Sequence, residues 1–164
     1  MKKRIAFFGA ILSLIPLGQP LLIKTGVIFA TAKIVIFNSD WAIAESAEFY
    51  NKRGDEKYVA EDYKGAISDY TKAIKINPQY EDAYNNRGNV KLDINNYKGA
   101  ISDYTKAIEI NPQYGEAYNN RGLAKRKIGD DKGGCDDYKK AIALGNKETE
   151  KWFNTGGAAW CRDM

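Results

Sequence analysis

The sequence predicts an all-α protein: an α-solenoid of three helical hairpins closed by a short C-terminal capping helix. Three observations carry this. Residues 63–80, YKGAISDYTKAIKINPQY, return at 97–114 with Lys75 becoming Glu109 as the single change. The hexapeptide AYNNRG at 83–88 returns unchanged at 117–122, so both echoes have an offset of 34 residues. Asn77-Pro78 and Asn111-Pro112 punctuate the chain at the same offset. A fixed period of this length marks a stack of one supersecondary unit, each too small to bury its apolar stripe alone. The repeats span about 47–80, 81–114 and 115–146, with a cap at 147–164 and a different segment at 1–44.

The N-terminal segment comes first in the chain and holds all of its charge imbalance. Lys2, Lys3, Arg4, Lys24 and Lys33 face only Asp40 within residues 1–44, while the rest of the chain balances, so the net +4 resides here. The apolar run Ile5–Ile15 is followed by Pro16, Gly18, Gln19 and Pro20, and a second run covers Val27–Phe37. Ala42-Ile43-Ala44 places small residues before the acidic Glu45, the pattern of an export cleavage site. Three readings stand: a long signal peptide cut after Ala44, a translation start near Lys24 with a signal of ordinary length, or a retained membrane anchor. Neither run is a clean span of about 20 apolar residues. The expectation is export across a bacterial membrane, into a periplasm or thylakoid lumen, with anchoring by residues 1–44 as the alternative.

Each repeat then holds two helical patterns. In the second unit Ala83, Tyr84, Arg87, Gly88, Lys91 and Leu92 fall three and four residues apart. After the polar break Asn95-Asn96 the same spacing joins Tyr97, Ala100, Ile101, Tyr104, Ala107 and Ile108. Pro112 closes the unit because it cannot donate to a helix and pushes Asn111 out of helical conformation.

This pattern resembles the tetratricopeptide repeat, over about residues 47–146. The small residue of the first helix corresponds to Gly54, Gly88 and Gly122, and the aromatic that opens it to Tyr50, Tyr84 and Tyr118. Ala66, Ala100 and Gly134 stand where the two helices cross. Tyr70, Tyr104 and Tyr138 match the second-helix aromatic, and Ala73, Ala107 and Ala141 the next small residue. The third unit departs at Asp131, where Tyr63 and Tyr97 stand earlier, and at Asn146 in place of Pro78 and Pro112. The near-identical repeats and the export pattern are similar to those of small exported bacterial, notably cyanobacterial, members of the family. Close packing explains the residue types: Gly and Ala let helices approach while tyrosines fill the wedge beside them.

The last residues read as a cap that leaves the repeat pattern. Gly145 ends a helix, Asn146 caps the next, and Thr149–Phe153 forms a short helix broken at Gly156-Gly157. Trp152, Phe153 and Trp160 are expected to cover the open flank of the third unit, with a partner-binding aromatic patch as the alternative. Cys135 occupies the phase of Ile67 and Ile101, facing a following unit that does not exist, and so faces the cap and Cys161. In an exported protein this pair reads as a disulfide. In a cytosolic one it reads as two buried thiols.

The resemblance implies a curved stack whose first helices line the concave face. Asn51, Asn85 and Asn119 are expected in solvent there, with Lys52, Asn86 and Asn120 beside them and Asn89 and Arg126 further along. An asparagine row can pair with the amides of an extended peptide regardless of its side chains. Equally, AYNNRG can be a duplicated, solvated face with no ligand. The carboxylate clamp of chaperone-cochaperone members is not matched, because Asn51, Glu116 and Asn120 replace its cations and Asp55 its first asparagine.

These features point to a non-enzymatic adaptor or assembly factor with a protein or extended-peptide partner. The alternative is a structural module that self-associates through its uncapped first unit. No catalytic residue, cofactor or metal site is expected: the chain has no histidine and no phosphate-binding glycine loop, and Asp136-Asp137 reads as a partly solvated pair. The charge-balanced repeat region also argues against nucleic acid as a partner.

Overall fold

The computed structural model of the chain describes residues 27–30, 33–36, 46–157 and 159–161. The chain divides into two compact units, Met1–Ile43 and Ala44–Met164. In the first, β1 (Val27–Ala30) pairs antiparallel with β2 (Lys33–Ile36), Val27 opposite Ile36 and Ala30 opposite Lys33. This hairpin is not among the elements expected above, although the β-branched residues of the run favour it. Ala42, Ile43 and Ala44, with the cleavage reading built on them, lie outside the described residues. No helix among the described residues is long and apolar enough to cross a membrane.

The second unit is wholly helical. Its elements are α1 (Ala47–Val59), α2 (Tyr63–Ile76), α3 (Glu81–Asp93), α4 (Tyr97–Ile110), α5 (Gly115–Lys127), α6 (Asp131–Ala143) and α7 (Lys147–Trp152). Each second helix starts on a side-chain cap: Asp62, Asn96 and Asp130 accept from the amides of Gly65, Gly99 and Gly133. Ser46 caps α1 on the Phe49 amide. α3 and α5 have no such cap; they follow the Asn-Pro turns, where Asn77 and Asn111 accept from the amides of Gln79 and Gln113.

Helices pair as α1–α2, α3–α4 and α5–α6, and each second helix also packs on the first helix of the next unit. First helices touch one another directly, α1 on α3 and α3 on α5, and so line the inner curve of the stack. The close approach rests on glycine. A Cβ on Gly54 or Gly88 would lie 2.6 Å from the ring of Tyr70 or Tyr104, both fully buried. Small residues repeat this between units, where Ala73 packs on Ala47 and Ala83, and Ala107 on Ala117.

The cap helix begins two residues earlier than expected, on an Asn146 cap, and the chain breaks at Gly156 with φ of 95°. As expected, Trp152, Phe153 and Trp160 pack around Cys135 and Cys161. Tyr138 meets Trp152 and Trp160 at centroid distances of 5.0 and 6.4 Å. Trp152 stands in phase with Tyr118, Asn154 with Asn120 and Gly156 with Gly122, yet α7 ends at Trp152 and the chain turns at Gly156, so the cap keeps traces of the repeat sequence while departing from its structure.

Candidate functional site: the concave face

The tyrosines that fill the core also reach the inner face. Tyr70 Oη donates to Asp55 Oδ1 at 2.7 Å, and Tyr104 Oη to Asn89 Oδ1 at 2.7 Å. Burial, reinforced by Asp55, pushes the Tyr70 phenol far up, and burial does the same to Tyr104, so both remain donors. At the end of α1, Tyr58 Oη donates to Asp93 at 2.5 Å, and that carboxylate holds the phenol up at about 12.

The same two acceptors tie neighbouring first helices together. Asn86 Nδ2 donates to Asp55 Oδ1 at 3.2 Å and to Asn51 Oδ1 at 3.4 Å. Asn120 Nδ2 donates to Asn89 Oδ1 at 3.0 Å, and Asn119 Nδ2 to Asn120 Oδ1 at 3.1 Å. An amide–tyrosine ladder therefore links the first helices, with rungs at Asp55 and Asn89 in the first two units.

This corrects the expected ladder. Asn51 and Asn85 are not in solvent; their exposures are 8 % and 1 %. Their phase points them into the next unit, where Asn85 Nδ2 donates to Glu116 at 3.1 Å. Asn119 is half-buried and accepts from Thr149 of the cap at 2.7 Å. Arg126 reaches the inner face only in part: its side chain is 32 % exposed, and its guanidinium lies 4.4 Å from the Trp160 ring centroid and 5.9 Å from that of Trp152. Lys52 is exposed, and Asn86, Asn89 and Asn120 are partly exposed on the inner face.

Behind this face lies an ionic skeleton not foreseen from the sequence. Asp69, Asp103 and Asp137 are buried, each clamped by an arginine and a lysine one turn apart on the partner helix. Asp137, read as half of a solvated pair, bonds Arg121 at 2.8 and 2.7 Å and Lys125 at 2.8 Å. Arg87 and Arg121 also donate to Thr71 and Thr105 of the preceding unit, at 3.0 and 3.2 Å. The signal was present: Arg53, Lys57 and Asp69 return in all three units at the offset of 34.

Cys135 and Cys161 come together as expected, with bonded Sγ atoms and Cα atoms 5.5 Å apart.

This geometry defines a class: a succession of stacked helical hairpins whose first helices present a polar, amide-lined face. Models of the tetratricopeptide repeat match residues 81–114 and 103–143, and a TPR repeat model matches 54–95. The chain belongs to the tetratricopeptide repeat family. Among solved structures it is similar to the Arabidopsis OM64 TPR domain, at 28 % identity and a TM-score of 0.61, covering 66 % of this chain and 94 % of that one. It is similar to MamA at 31 % identity and a TM-score of 0.60, covering 65 % of this chain and 63 % of that one. The second TPR of Spaghetti (RPAP3), bound to the HSP90 peptide SRMEEVD, is 25 % identical with a TM-score of 0.60, covering 65 % and 98 %. No curated protein sequence matches the chain.

Proposed function

We propose that the protein is a non-enzymatic interaction module, an adaptor or assembly factor, that holds an extended peptide of a partner protein against its first helices. One observation carries this reading. Asn86 and Asn89 sit one turn apart on α3, each oriented by neighbours that use only one end of its amide. Asn86 Oδ1 and Asn89 Nδ2 have no hydrogen-bond partner among the described residues, which leaves a fixed acceptor and a fixed donor on the inner face. An extended backbone offers the complementary pair at each residue. Lys52 borders the row; Asn119 and Asn120 engage both amide ends within the structure, and the buried Asn51 and Asn85 drop out of it.

The acidic peptide on the Spaghetti domain is not the ligand proposed here, because Asn51, Glu116 and Asn120 supply no cations for it. Self-association through the first unit is opposed by Phe49. At that phase the internal interfaces have Ala83 and Ala117, both fully buried, and a phenyl ring cannot take their place without moving the helices apart. Capture of a partner by the full chain tests the reading. Asn86→Ala/Asn89→Ala should lose the partner while melting like the parent; undiminished capture would count against the groove.

We also propose that the module works in an oxidising compartment reached by export, or anchored at a membrane by residues 1–44. The Cys135–Cys161 pairing and the basic-then-apolar N-terminal segment support it. N-terminal sequencing of the native protein is the test. A start at Glu45 supports cleavage, an intact N-terminus in the membrane fraction supports anchoring, and an intact N-terminus in the cytosol refutes both.

A further inference from the structure

Counting in steps of 34 residues shows where the inner face changes character. Asp55 and Asn89 each accept a tyrosine hydroxyl and an asparagine amide. The third residue of that series is Leu123, which accepts nothing. The asparagine that continues the ladder, Asn154, lies beyond the end of α7 and is exposed. Between α5 and α7 this leaves a cleft of about 400 Å³, lined by Leu123, Arg126, Tyr138, Glu148, Thr149 and Trp152. The Thr149–Asn119 hydrogen bond adjoins it.

The wall chemistry differs from the rest of the groove. Leu123 and the tilted rings of Tyr138 and Trp152, 55° apart, supply an apolar surface, where the other two units present amides and a carboxylate. Arg126 borders it with an Nε that is buried and has no acceptor among the described residues; Asp131 is 4.0 Å away. Arg53, Arg87 and Arg121, by contrast, each bond both oxygens of an aspartate. Among the described residues Arg126 therefore has no bidentate carboxylate partner, and its side chain, 32 % exposed, borders the pocket.

We propose that this cleft is the anchoring subsite of the peptide groove. It seats one large aliphatic or aromatic side chain against Leu123, Tyr138 and Trp152, and a carboxylate adjacent to that side chain pairs with Arg126. The proposal rests on the groove-binding reading above and adds the sequence preference that an amide row cannot supply. The amides fit any extended backbone, whereas a cleft with an apolar wall and a charged rim discriminates between side chains. Glu148 also lines the cleft, so the motif presents its carboxylate on the Arg126 side. That carboxylate comes from an acidic side chain or from the peptide's own C-terminus, two sources with the same chemistry.

The test is an NMR titration of the full chain, observing the Leu123 methyls, the Trp152 indole and the Asn86 and Asn89 amides. The probes are acetyl-Gly-Ser-Leu-Asp-Ser-amide, its forms with alanine for leucine and asparagine for aspartate, and acetyl-Gly-Ser-Leu with a free carboxylate. The first probe should move the Leu123 and Trp152 signals saturably, and the alanine form should bind at least about tenfold more weakly. Whichever of the aspartate and free-carboxylate peptides binds more tightly assigns the source of the charge. Leu123→Asn restores the residue found at this phase in the second unit; it should keep the melting temperature and lose the leucine preference. Arg126→Gln should erase the preference for aspartate over asparagine while keeping that for leucine over alanine. Shifts confined to Asn86 and Asn89 would overturn the anchor and leave the groove reading intact. Equal affinity for all four peptides would also overturn it, and no shift with any of them would overturn both.

Discussion

Arg87 grips Asp103 through both carboxylate oxygens, Nε at 2.9 Å and Nη2 at 2.7 Å, across the two helices of the second unit. Lys91 adds a contact at 2.6 Å, and Asp103 is only 4 % exposed. The arginine also bonds Thr71, so a single side chain locks a hairpin internally and ties it to the unit before. Removing the carboxylate strands two cations whose side chains are 16 % and 19 % exposed. Asp103→Ala is expected to destabilise the domain by about 3 kcal/mol in urea melts. Asp69→Ala should be milder, because the side chains of Arg53 and Lys57 are 35 % and 34 % exposed and reach water. Equal losses for the two variants would refute this ranking.

Acid should loosen the first unit in a defined window. Hydrogen bonding from Arg53, with help from Lys57, holds the Asp69 carboxyl at about 2, below its ordinary 3.8. A group depressed on folding stabilises the native state above its unfolded value, and that contribution fades as pH falls from about 4 through about 2. Solvent screening at the two cations limits it to about 1 kcal/mol. Stability of Asp69→Asn, followed by denaturant titration across this range, should show a correspondingly shallower acid slope than the parent.

Gly88→Ala tests the helix crossing. In a free helix this change is favourable by about 1 kcal/mol. Here the new Cβ would lie 2.6 Å from Tyr104 Cε1, on a ring with no exposed surface to move into. The sign should reverse, with a net loss of about 1–3 kcal/mol. Gly122→Ala, where the nearest atom is the Gly134 carbonyl at 3.0 Å, should cost less. A gain in melting temperature for Gly88→Ala would contradict the packing described.

The Cys135–Cys161 bond closes a loop with a sequence separation of 26 and fastens the cap to α6. In the chain-entropy treatment such a closure contributes about 3 kcal/mol. Cys161→Ser, or reduction of the parent, should lower stability by that order and raise the solvent accessibility of Trp152 and Trp160, measured by acrylamide quenching. An unchanged quenching profile would mean that the cap holds without its staple.

The period of 34 made the hairpins, their glycines and the cap's cysteine pairing legible before any coordinates, because duplicated residues report duplicated surroundings. It was misleading for Asn51 and Asn85. Being adjacent to Lys52 and Asn86 on a polar stretch, they look solvated, yet a rotation of about 100° per residue turns them into the next unit. The ion clamps escaped notice for the opposite reason. Arg53 and Asp69 sit on different helices, so their pairing has no local signature, only a threefold recurrence. Leu123 marks the limit of the reading: it breaks a series, but only the cleft against Trp152 gives that break a chemical meaning.

Site-specific photocrosslinking in the native cell tests the central claim most directly. A benzophenone amino acid replaces Lys52 or Asn120 on the first helices, or Lys72 on a second helix. The account expects crosslinks from positions 52 and 120 to a single extended segment of one partner, mapped by mass spectrometry, and none to that segment from position 72. Partner crosslinks that arise from position 72 and not from the inner positions would place binding on the outer face and contradict it.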